Sequence, residues 1–196
     1  NSNEIDIHKE LKKYFGFNQF KGLQERVIKT ILAKENTFVI MPTGGGKSIC
    51  FQVPALCLEK LCIVISPLIA LMKDQVENLE KKGIQAGMIS SSMKALEIDM
   101  LIDRCQSGQM QFLYVSPERL KSERFREVLP NLNIGMIAVD EAHCISQWGY
   151  DFRPSYTEIA QIRELLPDIP IIALTATATP EVCDDIEKQL QFKNSK

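Results

Sequence analysis

A chain of 196 residues, 45% hydrophobic and 24% charged, can bury a substantial core, which excludes a disordered polymer. It carries no run of roughly 18 apolar residues, and its polar first ten residues do not read as a secretory leader, so no transmembrane helix, membrane partner or export signal is expected. Lys and Arg number 23 against 25 Asp and Glu, a formal net charge of −2, so any nucleic-acid contact must rest on a local basic and aromatic patch or be completed by parts outside this chain.

Cysteine usage points the same way as the charge balance. The six cysteines (Cys50, Cys57, Cys62, Cys105, Cys144 and Cys183) include no C-x-x-C pair, and His8 and His143 are the two histidines. Free thiols in a reducing cytoplasm are expected, and neither a disulfide framework nor zinc.

In chain order, two amphipathic segments, 5–14 and 23–33, read as helices. An apolar strand over 37–41 then runs into Pro42-Thr43-Gly44-Gly45-Gly46-Lys47-Ser48 and a helix over 47–58. Three glycines remove the Cβ atoms that would hold a polyphosphate away from the backbone N–H groups, and the helix adds its positive end. Lys47 is placed to reach the β/γ-phosphates of ATP, and the Ser48 hydroxyl to coordinate Mg²⁺. Met41 stands where the common phosphate-loop pattern has its first glycine.

Further strands are expected over 61–66, 85–89 and 111–115, and further helices over 70–81, 95–106 and 117–128. A strand over 134–139 delivers Asp140 and Glu141 to its carboxyl end. Asp140 suits a second Mg²⁺ ligand, and Glu141 a group that polarises the attacking water. His143 follows as a relay to the next loop, where Gln147, Trp148, Tyr150, Phe152, Arg153 and Tyr156 cluster. Aromatics in a polar loop suit base stacking, with Arg153 on a phosphate or a ring; the plainer reading is that Trp148 and Phe152 pin the loop to the domain. Helix 156–166, strand 171–175 and helix 180–190 complete the pattern. Nearly continuous apolar strands alternating with helices predict one domain over 1–196: a doubly wound, mostly parallel α/β sheet whose ligand site lies at the strands' carboxyl ends.

With these motifs in place, the chain resembles the RecQ family of superfamily 2 DNA helicases over residues 15–180. Asp140-Glu141-Ala142-His143 with Cys144 to Gly149 is similar to the family's Walker B box and aromatic-rich loop, and Met41 to Ser48 to its motif I. Phe17, Lys21 and Gln24 resemble its adenine-reading motif, in which a ring stacks on the base and the Gln hydrogen-bonds its edge. Ser66 and Pro67, and Ser116 with Arg119, resemble motifs that grip single-stranded DNA, while Thr175 and Thr177 resemble motif III, which with Gln147 links hydrolysis to movement. The resemblance implies a RecA-like P-loop domain using ATP and Mg²⁺, a catalytic set of Lys47, Asp140, Glu141 and His143, and DNA as partner. It also implies a second RecA-like domain in the parent chain and a role in repair and recombination, in the cytoplasm at the nucleoid or in a nucleus. Tyr150 stands where many members carry His, and Lys21 where Arg is frequent. The Ser146-Gln147-Trp148-Gly149 loop argues against RNA helicases of the D-E-A-D and D-E-A-H groups, and nothing resembles the acceptor site of a P-loop kinase.

Overall fold

Six short apolar runs pair into one sheet in which every neighbour is parallel, in the order β1-β6-β5-β2-β4-β3. The strands are β1 (Thr37–Ile40), β2 (Leu61–Ile65), β3 (Ala86–Ile89), β4 (Phe112–Val115), β5 (Ile134–Val139) and β6 (Ile171–Thr175) in a computed structural model that describes residues 6–42 and 46–192. Every residue of β2, β4 and β6 is buried, as expected of strands covered on both faces.

The helices are α1 (Ile7–Phe15), α2 (Gln24–Leu32), α3 (Gly46–Leu58), α4 (Ile69–Lys81), α5 (Ala95–Gln106), α6 (Glu123–Val128), α7 (Thr157–Leu165) and α8 (Pro180–Gln189). Alternate strand residues divide the core in two. Cys62, Val64, Phe112, Tyr114 and Ala138 pack with α2, α3 and α4, whereas Ile63, Ile65, Leu113, Ile137 and Val139 pack with α5 to α8. The chain moves from β1 through β2 to β3 toward one edge and then returns, and right-handed crossovers require the helices to change face at that reversal.

Helix α1 starts at Asp6, whose side chain accepts the Lys9 N–H at 3.1 Å, and stops at Gly16, where φ is 76°. A small cluster of Ile7, Leu11, Ile28, Ile49 and Val53 fixes α1 and α2 against α3. That packing holds the segment 16–24 beside the start of α3. Since all strands are parallel, residues 41, 66, 90, 116, 140 and 175 share one end of the sheet.

One expected helix is divided. Over 117–128, Pro117–Lys121 forms a 3-10 turn, and Ser122 then adopts extended φ/ψ and accepts the Phe125 N–H at 3.3 Å to begin α6. A serine side chain offering the backbone a local partner favours such a restart over a continuous helix. Ahead of α7, Pro154–Tyr156 is likewise a 3-10 turn. Among the described residues no helix is long and apolar enough to cross a membrane.

Candidate nucleotide site and aromatic loop

Lys47 and Ser48 occupy the first turn of α3, which begins at Gly46. The expected cradle residues Thr43, Gly44 and Gly45 lie outside the described residues. Gln24 is buried at 4% exposure and braces the cradle from the side: its Oε1 accepts the Lys21 N–H at 2.7 Å, and its Nε2 donates to the Gly46 carbonyl at 2.9 Å. A Cβ at Gly46 would stand 3.0 Å from that amide, so the bare glycine permits the approach. Phe17, Lys21, Gln24, Gly46 and Ser48 line a cleft of about 580 Å³, and Phe17 is half exposed over it.

The far wall of the cleft was not legible as a site in the sequence. Gln75, Asn78, Leu79 and Lys82 face it from α4 and its end, at the i, i+3, i+4, i+7 spacing that could have marked one helix face. At its floor, Gln52 Nε2 donates to the Tyr114 hydroxyl at 3.1 Å, which in turn donates to Gln75 Oε1 at 2.7 Å.

Across the sheet end, β5 delivers Asp140, whose N–H bonds the Ile65 carbonyl at 2.9 Å. Asp140 Oδ1 meets Lys47 Nζ at 2.8 Å and accepts the Glu141 N–H at 2.9 Å. Glu141 takes the left-handed conformation, φ 53° and ψ 42°, which for a residue with a Cβ costs about 1–2 kcal/mol. The turn brings Glu141 Oε1 to 3.8 Å from Lys47 Nζ and Oε2 to 3.6 Å from His143 Nε2. His143 is buried, and its Nδ1 lies 2.7 Å from Thr175 Oγ1, whose hydroxyl reaches the Thr177 carbonyl at 3.2 Å. A hydroxyl has one proton; with that proton on the Thr177 carbonyl, His143 Nδ1 carries the N–H in its own bond.

The aromatic loop folds back on this turn. Gly149 N–H donates to the Ser146 carbonyl at 3.2 Å and Arg153 N–H to the Cys144 carbonyl at 2.9 Å. The Tyr150 ring stacks on His143 with centroids 5.0 Å apart and planes 14° apart. Trp148 and Tyr150 are each 76% exposed, Gln147 is exposed, and Phe152 and Arg153 are half-buried, with Arg153 Nη2 3.6 Å from Asp151. Burial pushes the Cys144 thiol up to about 12, with Asp151 adding to the rise.

The geometry places several of the residues expected at contacts inside the fold. Tyr156, grouped by sequence with the stacking residues, is fully buried and donates its hydroxyl to the Asp140 carbonyl at 2.7 Å; burial holds that phenol well above its ordinary range. The side chains of Ser66 and Ser116 are buried, and Ser66 Oγ accepts the Leu68 N–H at 3.3 Å. Pro67 is half-buried beside it. Arg119 donates to the carbonyls of Ser90, Ser91 and Met93 at 2.8, 2.9 and 3.1 Å, so it ties down the loop after β3. Of the residues expected at nucleic acid, Trp148, Phe152 and Arg153 thus reach the surface on one loop, while the Ser66 hydroxyl and three bonds of Arg119 serve the fold and the buried Ser116 hydroxyl has no hydrogen-bond partner among the described residues.

Known proteins resemble this chain in sequence and in fold. The chain is 51% identical over 185 residues to the "ATP-dependent DNA helicase RecQ" of Bacillus subtilis, covering 93% of this chain and 31% of that protein. It is 46% identical over 184 residues to the protein of the same name from Haemophilus influenzae, covering 94% and 30%. The chain therefore spans about a third of the length of the curated relatives it matches. Among solved structures, the helicase Lhr of Mycobacterium smegmatis bound to single-stranded DNA and AMP-PNP superimposes with a TM-score of 0.71 at 20% identity, over 95% of this chain and 27% of that one. The DUF1998 helicase MrfA bound to DNA and AMPPNP gives 0.75 at 18% identity, over 98% and 29%. At such identities these likenesses show the fold, a RecA-like helicase domain. The model of the DEAD/DEAH box helicases matches residues 21–186, and the chain belongs to that family, with the RecQ helicases among its relatives.

Proposed function

We propose that this chain is a single domain, the first motor lobe of an ATP-dependent DNA helicase of the RecQ type, in which ATP–Mg²⁺ binding is reported to single-stranded DNA through the aromatic loop. Lys47, here paired with Asp140, would hold the β/γ-phosphates of ATP, and Asp140 with Ser48 would hold Mg²⁺, which would neutralise phosphate charge. The chemistry is then positioning and charge neutralisation, with Glu141 orienting the attacking water. Phe17 stacks on the adenine, and Gln24 and Lys21 read or flank its edge. Trp148, Phe152 and Arg153 take bases and phosphate on the loop, which tolerates any sequence because every base has a π-face. A second RecA-like lobe in the parent chain closes over the nucleotide.

One observation carries this reading: an unbroken run of contacts links Lys47 through Glu141 and His143 to Tyr150 on one side and to Thr175 and Thr177 on the other. A change at the phosphates therefore reaches the loop through side chains already in contact. The test is phosphate release by the full-length protein that carries this chain, with single-stranded DNA or RNA added. DNA stimulation that is lost in Trp148→Ala while ATP binding persists is the expected result. Equal stimulation by RNA, or normal DNA stimulation of the variant, would overturn it.

A further inference from the structure

Beneath the aromatic loop three side chains of different chemistry converge. Asp151 Oδ2 lies 3.9 Å from His143 Nε2 and 3.9 Å from Cys144 Sγ, and the three ligand atoms all lie within 4.8 Å of one another. His143 and Cys144 are 2% and 1% exposed, and Asp151 is half-buried. A tetrahedral ion with metal–sulfur bonds of about 2.3 Å and metal–nitrogen and metal–oxygen bonds of about 2.0–2.2 Å separates its ligand atoms by about 3.4–3.6 Å. The two pairs at 3.9 Å need to contract by a few tenths of an ångström to meet that geometry, and the third pair, within 4.8 Å, by up to about 1.3 Å.

The imidazole is already oriented for such a role. With the Thr175 hydroxyl donating to the Thr177 carbonyl and accepting from Nδ1, Nε2, the ring atom facing Asp151, is the nitrogen left to take an ion. An outer partner of this kind behind the ligating histidine is what fixes tautomer and ring plane at protein metal sites. Glu141 Oε2 lies 3.6 Å from the same Nε2 and borders the cluster on the nucleotide side. Arg153, 3.6 Å from Asp151, is the one cation facing the cluster from the loop, and Lys47 faces Glu141 from α3.

We propose that His143, Cys144 and Asp151, with solvent at the fourth position, form a binding site for a thiophilic divalent ion such as Zn²⁺, distinct from the Mg²⁺ site at Ser48 and Asp140. A nitrogen, sulfur and carboxylate set selects a borderline-soft ion, whereas Mg²⁺ demands octahedral oxygen. Binding releases the Cys144 proton to solvent as the sulfur becomes a ligand. Occupancy also takes the Nε2 that otherwise faces Glu141, so the ion would lock the aromatic loop to the nucleotide side. Linear spacing did not announce the site, because His143 and Cys144 are adjacent on a 3-10 turn and Asp151 returns only through the loop's fold.

Cobalt(II) titrated into the 196-residue chain is the test, because it reports its ligands by absorbance. The expected result is a thiolate-to-cobalt charge-transfer band with visible bands of tetrahedral intensity, bleached by Zn²⁺ and untouched by excess Mg²⁺. Cys144→Ser should remove the charge-transfer band, and Cys57→Ser should leave it. Asp151→Asn and Thr175→Val should keep the band but weaken binding, the latter by about 10–100-fold. Circular dichroism verifies the fold of each variant, and the half-buried Asp151 keeps the test open if Cys144→Ser fails to fold. Absence of the band, its survival in Cys144→Ser, or displacement by Mg²⁺ would each overturn the proposal.

Discussion

Tyr150 and Tyr156 belong to the same aromatic stretch and do opposite work. Tyr150 is 76% exposed with its ring on His143, whereas Tyr156 is fully buried with its hydroxyl on the Asp140 carbonyl. Removing the buried hydroxyl leaves that carbonyl without its partner, so Tyr156→Phe should cost about 1–2 kcal/mol. For a chain of this size each kcal/mol lowers Tm by about 2–4 °C, which thermal unfolding of the purified chain would resolve. Tyr150→Ala should change stability by no more than about 0.5 kcal/mol, as surface substitutions do, and should act on coupling instead. Equal destabilisation by the two would contradict the division. The sequence could not separate them, because neighbouring aromatics in a polar stretch carry no periodicity that says which one turns inward. Lys47, Asp140 and Glu141 were readable because each is delivered by a regular strand–loop–helix or strand-end signal.

At the scale of elements, the ends of α7 and α8 are joined by one buried side chain. Arg163, 5% exposed, donates from Nε to the Leu190 carbonyl at 3.1 Å and from Nη1 to the carbonyls of Leu166 and Ile169 at 3.3 and 2.6 Å. Leu166 and Leu190 are the residues that close the two helices, so a fixed cation sits where both helix dipoles are negative. Burial lowers the guanidinium from its ordinary value while Asp168 acts in the opposite direction, and a group starting that high stays charged at neutral pH. Arg163→Met should therefore destabilise by about 3 kcal/mol, measured from urea midpoints, since it strands buried carbonyls. Arg163→Lys should recover little of this, because one ammonium cannot span three carbonyls. Full recovery by lysine would mean that charge alone, not the fork, holds the helix ends. The strands and the long helices were legible within a residue or two because burial on both faces leaves apolar runs. The break at Ser122 was not, since a local side-chain cap overrode the helical pattern there, and neither was the 3-10 turn before α7, which has no side-chain cap.

Across the whole molecule, charge is distributed so that arginine is used in holding the fold. The chain has seven arginines: 26, 104, 119, 124, 126, 153 and 163. Arg104 bonds Gln85, Arg119 the loop after β3, Arg124 pairs with Asp99, Arg126 with Glu158, Arg153 with Asp151, and Arg163 holds two helix ends. Arg26 lines a separate groove beside β1 with Leu23 and Thr30. Among the described residues, then, Lys47 is the cation found on the Asp140 and Glu141 carboxylates, and no arginine joins it. One lysine can hold the ground-state phosphates, but charge spreading over the γ-phosphoryl oxygens in the transition state calls for a further cation. In related phosphoryl-transfer enzymes an arginine supplied from another surface is worth about 10³–10⁵ in turnover. The 196-residue chain alone should therefore bind ATP–Mg²⁺ yet release phosphate at least about 10³-fold more slowly than the full-length protein at saturating single-stranded DNA. Its net charge of −2 also predicts weak DNA affinity with a shallow salt dependence, because few phosphates are neutralised. Both quantities can be measured on one preparation, by phosphate release and by fluorescence anisotropy across a salt series. Turnover equal to that of the full-length protein would show that the catalytic cation lies within this chain, and would direct attention to Arg153, the arginine already on the loop that faces the site.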